Sequence, residues 1–178
     1  MKPKENSLYH IKPNDMKGDT LYPLNCLKNI YPRKYKKEVK KYQDRKFVTE
    51  YKIPTLNCLW NDVLHLVTVP PSKIKNAYEQ AGGDISTLEW YKIDLNQIDV
   101  ENTAVYLYSQ KDKENVLVAN DFEPFDPKKI DTYKKIPKET INYYKKKISN
   151  NEKPLLFHGI PHILYKGTID VSRSEVTV

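Results

Sequence analysis

The stretch "NDVLHLVTVPPSKIKNAYEQAGGD", residues 61–84, decides the fold class. Val63 to Val69 is nearly all apolar, as a strand covered on both faces would be. The tandem Pro70 and Pro71 end it, because proline has no amide to give to a sheet ladder. Beyond them Ile74, Ala77, Tyr78 and Ala81 recur at i, i+3, i+4 and i+7, which predicts a helix with Pro71 in its first turn. Gly82 and Gly83 then stop that helix with left-handed backbone. A strand running directly into a helix calls for a mixed class.

Toward the N-terminus, "SLYHI" at 7–11 reads as a short strand closed by Pro13 and Gly18. Tyr35, Val39 and Tyr42 at i, i+4 and i+7 predict a helix from about 33 to 46, with a narrow apolar stripe and a lysine-coated outer face. Toward the C-terminus, "LEWYKI" at 88–93, "TAVYLYS" at 103–109 and "NVLVA" at 115–119 read as strands. The last two are antiparallel neighbours, since "QKDKE" is too short for a crossover. "FEPFDPKK" at 122–129 reads as a rigid loop, and "IPKETINYYKKKI" at 136–148 as a second basic helix with Ile141, Tyr144 and Ile148 inward. The expected architecture is a single α+β domain over residues 1–178, a mixed or antiparallel sheet with helices.

The composition narrows the functional classes. Apolar residues at 39% together with 14 tyrosines and two tryptophans suffice for a core in a chain of 178 residues. The net charge of +7 suits an acidic partner, RNA or an anionic surface. Yet only Arg33, Arg45 and Arg173 are arginines, so the bidentate fork that reads phosphates and guanine edges is scarce. Cys26 and Cys58 are too few for a disulfide scaffold, and both read as buried structural thiols. The start MKPKENSLYH has no signal-peptide core and no run has the roughly 18 apolar residues of a membrane span. A soluble, cytoplasmic, reducing setting is the expectation, with export by a signal-free route left open.

Two of the four histidines fall in "LLFHGIPHILYKGTID", residues 155–170. Gly159 and Pro161 keep His158 and His162 off one helix face, and on a strand they would stand roughly 13 Å apart, too far to share a ligand sphere. No further ligand motif is present, so no metal is expected. As a strand, Ile163, Tyr165, Ile169 and Val171 share a core face. His162, Lys166, Thr168 and Asp170 share the other, which is either solvent or the floor of a cleft. His65, within "VLHLVTV", reads as a hydrogen-bonded core histidine, whereas His10 in its short strand is expected to be accessible.

The opening "LYHIKPNDMKGDTLYPLN", a Tyr-His pair on a first strand followed by a loop with Gly18, resembles the first strand of the ADP-ribosyltransferase superfamily. The resemblance implies a split-sheet fold of about this size and a cleft binding NAD as co-substrate without a glycine-rich phosphate loop. It also implies an NAD-dependent ADP-ribosyl or glycosyl transferase activity. His10, next to Tyr9, would then hydrogen-bond the ribose hydroxyls, and Tyr22 would stack on the nicotinamide. Glu123 or Glu175 would stabilise the cationic ribosyl centre as nicotinamide leaves. The alternative from another class is a non-enzymatic basic binding domain, in which Lys36, Lys37, Lys40 and Lys41 meet an acidic protein, RNA or an anionic surface. Tyr35, Tyr42, Tyr143 and Tyr144 would be the interleaved aromatics, although their i, i+3 and i+4 spacing also suits core packing.

Overall fold

The computed structural model describes residues 6–111, 113 and 116–178. In chain order the strands are β1 (Ser7–Ile11), β2 (Thr20–Leu21), β3 (Lys52–Ile53), β4 (Cys58–Leu59), β5 (Leu64–Leu66) and β6 (Trp90–Asp94). They continue with β7 (Thr103–Tyr106), β8 (Phe122–Pro124), β9 (His162–Tyr165), β10 (Ile169–Asp170) and β11 (Glu175–Thr177). The α-helices are α1 (Leu24–Ile30), α2 (Pro32–Val39), α3 (Lys46–Glu50), α4 (Pro71–Gln80) and α5 (Lys138–Ser149). The class is α+β. Among the described residues no helix is long and apolar enough to cross a membrane.

Two antiparallel sheets carry the core, one in the order β5-β9-β7-β8 and one in the order β1-β6-β11. They meet at a two-bond bridge, in which Tyr9 N–H donates to Val67 O at 2.8 Å and Val67 N–H donates to Tyr9 O at 3.1 Å. In the four-stranded sheet, register puts Leu66, Ile163 and Val105 on one face and His65, Leu164 and Ala104 on the other. The first face packs with Leu8, Tyr91 and Ile93 of the smaller sheet. The second packs with Val48, Trp60, Val63 and Phe122. Both faces are therefore apolar, which is why Val63–Val69 shows no alternation.

The helix expected after the tandem proline forms with Pro71 in its first turn. Ile74, Ala77 and Tyr78 are buried beneath it, and Gly82 sits at φ 90° beyond its end. Gly83 has a different duty: a Cβ there would stand 2.2 Å from the Tyr78 ring, so the site needs glycine for close approach.

Four expectations are corrected. The helix from 33 to 46 is broken into α2, a 3-10 turn at Lys40–Arg45 and α3, because neither α2 nor that turn buries any residue and packing does not hold one continuous helix. Of the strand at 115–119, Asn115 lies outside the described residues and 116–118 are not extended into any ladder. The true partner of β7 is β8, since Phe122 seats its ring 4.7 Å from Tyr106 whereas Val116 is 37% exposed. The "loop" at 122–129 is thus an edge strand followed by a 3-10 turn at Pro127–Tyr133, and Pro124 is tolerated because β8 is an edge. Finally, the last strand is two strands, β9 in the large sheet and β10 against β2, parted at Lys166–Gly167. β9 is covered on both faces, so His162 is buried, while Lys166, Thr168 and Asp170 reach solvent.

Candidate functional site

The four histidines are near one another: His65 and His162 in ring contact, His158 reached through Tyr108, and His10 close to His65. His65 and His162 present their rings on the same sheet face, 6.1 Å apart and edge to face, with the Trp60 ring 4.7 Å from the first and 6.0 Å from the second. His162 is in turn 5.7 Å from the Tyr108 ring, and Tyr108 is 5.2 Å from His158. His10 is close enough that its charge depresses the pKa of His65. The ring nitrogens are fixed by backbone carbonyls, which can only accept: His10 Nδ1 to Ile11 O at 2.7 Å, His65 Nε2 to Trp60 O at 2.9 Å, and His162 Nδ1 to Ile160 O at 2.7 Å. His158 Nε2 donates to Lys111 O at 2.8 Å, leaving Nδ1 to accept from the Tyr108 hydroxyl at 3.0 Å.

Burial is the largest influence on these rings. It pushes His10 and His162 down to about 4, and with the neighbouring His162 it pushes His65 down to about 3. All three are neutral at pH 7. Among the described residues no group of three or more histidine, cysteine, aspartate or glutamate side chains is placed to hold a metal ion. Neutral and bonded to backbone carbonyls, His10, His65 and His162 serve the fold, the latter two also packed on aromatic rings. His65 and His10 are both only partly exposed, His65 hydrogen-bonded as expected and His10 less accessible than expected, on the face of β1 that carries Leu8.

The residues singled out by the family resemblance stand apart. Tyr9 lies on the opposite face of β1 from His10, joined to Val67. Tyr22 sits between β2 and α1, edge-on to Tyr31 with ring centres 6.5 Å apart. Glu175 lies opposite Lys92 and pairs with it at 3.1 Å, and register places both on the face that Tyr9 shares and His10 does not. Glu123, on β8, accepts from the Tyr133 hydroxyl at 2.9 Å, with the Lys129 ammonium at 3.9 Å. Among the described residues no hydrogen bond, ion pair or ring contact links His10 to Tyr22, Glu123 or Glu175. His162 and Lys166 form no cleft, the first being inside the sheet and the second at its exposed exit. Cys58 is buried with its thiol pKa raised by that burial, as expected, but Cys26 is exposed.

The anion-binding candidates do come together. Lys36, Lys37, Lys40 and Lys41 are all exposed along α2 and the turn that follows it. Lys34 and Lys37 grip Asp15 at 3.2 Å each and hold its carboxyl below the usual range, and Lys41 pairs with Glu38. Among the described residues Lys36 and Lys40 have no ion-pair partner. Ile30, at the end of α1, is 43% exposed and Phe47, in α3, is 42% exposed, so apolar side chains bracket the basic run. Tyr42 is half-buried beneath the Arg45 guanidinium, 5.3 Å above its ring.

No family model, curated protein or solved structure matches this chain. What the site can do is therefore read from its own geometry. Sequence reasoning missed Trp60, which packs against His65, His162, Tyr106 and Phe122, and the Tyr108–His158 pair. Tyr108 lies at φ 64°, a left-handed conformation that a bulky residue adopts only when its surroundings impose it, and no local sequence signal marks it.

Proposed function

We propose that the protein is a non-enzymatic binding domain that docks an acidic segment of a partner protein on the layer Pro32–Val39 and Lys40–Arg45. The observation that carries the reading is that neither element has a fully buried residue, Tyr42 alone leaning partly buried on the cluster of Val48 and Trp60, while together they hold Lys36, Lys37, Lys40 and Lys41 in the open. A surface helix ordinarily buries an apolar stripe, and one that does not is free to present its whole outer surface to something else. Asp15 serves as an internal precedent, a carboxylate taken up by two lysines of this same layer. Ile30 and Phe47 offer apolar footholds at the two ends.

An acidic protein fits better than RNA. Lysine gives point charges rather than the planar fork, and Tyr42, which would have to stack on a base, is already covered by Arg45. A transferase would need His10, an aromatic ring and a carboxylate around one ligand, and here they stand on different faces.

The test is a titration with poly-L-glutamate and with a single-stranded homopolymeric RNA at several salt concentrations, on the natural chain and on a variant carrying Lys36→Gln, Lys37→Gln, Lys40→Gln and Lys41→Gln. Poly-L-glutamate is expected to bind in a salt-sensitive way, and the variant to lose most of that binding and flatten its salt dependence. An unchanged salt slope would remove this layer from the interface. Binding of RNA alone would overturn the choice of partner.

A further inference from the structure

A depression of about 500 Å³ lies between the chain leaving β7 and the turn entering α5. Leu107, Ile136, Pro137 and Pro161 line it with apolar surface, and Lys111 and Lys135 line it with positive charge. Among the described residues no carboxylate lines it, and neither lysine has an ion-pair partner. They share this with Lys36 and Lys40, whereas Lys12, Lys92, Lys129 and Lys134 each pair with a carboxylate. The volume lies within the range of pockets that take small organic ligands.

The wall bearing Lys111 is held in place by buried groups. Its carbonyl accepts from His158 Nε2 at 2.8 Å, and His158, itself 1% exposed, stacks on the Tyr143 ring at 3.8 Å. The other ring nitrogen of His158 fixes the Tyr108 hydroxyl, and Tyr108 is the residue kept at φ 64°. Gly159 is at φ 75°, where a Cβ would stand 2.5 Å from Thr140 Oγ1 and 3.6 Å from Lys111 Cβ, so the chain before β9 packs directly against the root of this lysine. Strained backbone held by a fully buried histidine is the kind of support that positions a binding group.

We propose that this depression binds a small organic phosphate monoester. The phosphate would lie between Lys111 and Lys135 and the organic body against Leu107, Ile136 and the two prolines. A phosphate monoester carries close to two negative charges at pH 7 and so matches two ammonium groups, whereas a monoanion leaves one of them uncompensated. The apolar walls exclude inorganic phosphate as the better ligand, because it has nothing to bury there.

The experiment is isothermal titration of the full chain with phenyl phosphate, with phenyl sulfate and inorganic phosphate as comparators. Lys111→Gln, Lys135→Gln and the fourfold Lys36/Lys37/Lys40/Lys41→Gln chain are the variants. Saturable binding of phenyl phosphate is expected, weakened by about tenfold in either single variant, as for loss of one charge-assisted hydrogen bond. The fourfold variant is expected to bind it unchanged, and the two comparators to bind more weakly. Absence of saturation, equal affinity in Lys135→Gln, equal affinity for phenyl sulfate, or loss in the fourfold variant would each overturn the proposal. Lys135 is exposed and, among the described residues, has no ion-pair partner, so its variant decides the matter even if Lys111→Gln perturbs the loop. Because the fourfold variant leaves this depression untouched, failure here and failure of the docking layer are read separately.

Discussion

At the scale of single residues, the histidines determine how the protein responds to acid. His10, His65 and His162 take a proton near pH 6.5 when unfolded but refuse it until about 4, 3 and 4 when folded. The folded state thus binds fewer protons below pH 6.5, so stability falls as pH drops from there toward 4, and these groups contribute no slope above 7. The urea midpoint is expected to decline through that window and to decline less steeply in His65→Phe, which keeps a ring against Trp60 and removes one titrating group. A flat profile between pH 7 and about 5.5, where most carboxylates are still ionised, would show that these rings are not buried. The identity of His65 as a core histidine was legible from its apolar neighbours. The proximity of the four was not, because His65 and His162 meet only through pairing of β5 with β9, and His158 reaches His162 only through Tyr108. Likewise, nothing local distinguishes Cys26, which is exposed, from Cys58, which is covered.

At the scale of elements, burial separates helices that were legible from those that were not. The stripes of α4 and α5 are sunk into the protein, with Tyr144 of α5 fully buried 5.1 Å from Tyr78 and its hydroxyl donating to Leu156 O. Their 3.6-residue period therefore has a core to face. Tyr144→Phe is expected to cost about 1–2 kcal/mol by leaving that carbonyl unpaired, and Tyr144→Ala about 3–5 kcal/mol through the cavity, both from urea unfolding. The fourfold lysine variant should change stability by no more than about 0.5 kcal/mol, since nothing in α2 or its following turn is buried. The same fact explains the misreading of 33–46 as one helix: Tyr35, Val39 and Tyr42 have the right spacing, but none is fully buried and only Tyr42 leans on the core cluster, which does not keep a single axis. Residues 116–118 join no ladder although their composition is β-forming, while Phe122 packs in an aromatic cluster beside β7.

At the scale of the whole molecule, the α+β class could be read from alternating strand and helix signals, but the strand order could not. β5 pairs with β9 across more than half the length of the chain, and β6 pairs with both β1 and β11. Pairings of that separation leave no periodic trace, because either partner alone reads only as an apolar run. The topology also bears on the transferase expectation, since it puts Glu175 and His10 back to back on one sheet. Thermal titration with NAD is accordingly expected to leave the melting temperature unchanged. A rise corresponding to roughly 2.7 kcal/mol at a hundredfold excess over the dissociation constant would restore NAD as a ligand and make His10→Ala the next variant.

The joint between the sheets rests on two amides that each serve the other's carbonyl, those of Tyr9 and Val67. Neither can trade its proton for deuterium unless the sheets part, because fraying of one sheet alone leaves the reciprocal pair closed. In hydrogen-exchange spectra these two signals should therefore decay together, at a rate unrelated to their neighbours within each sheet. Their shared lifetime would be a clock for how often the molecule opens along its seam.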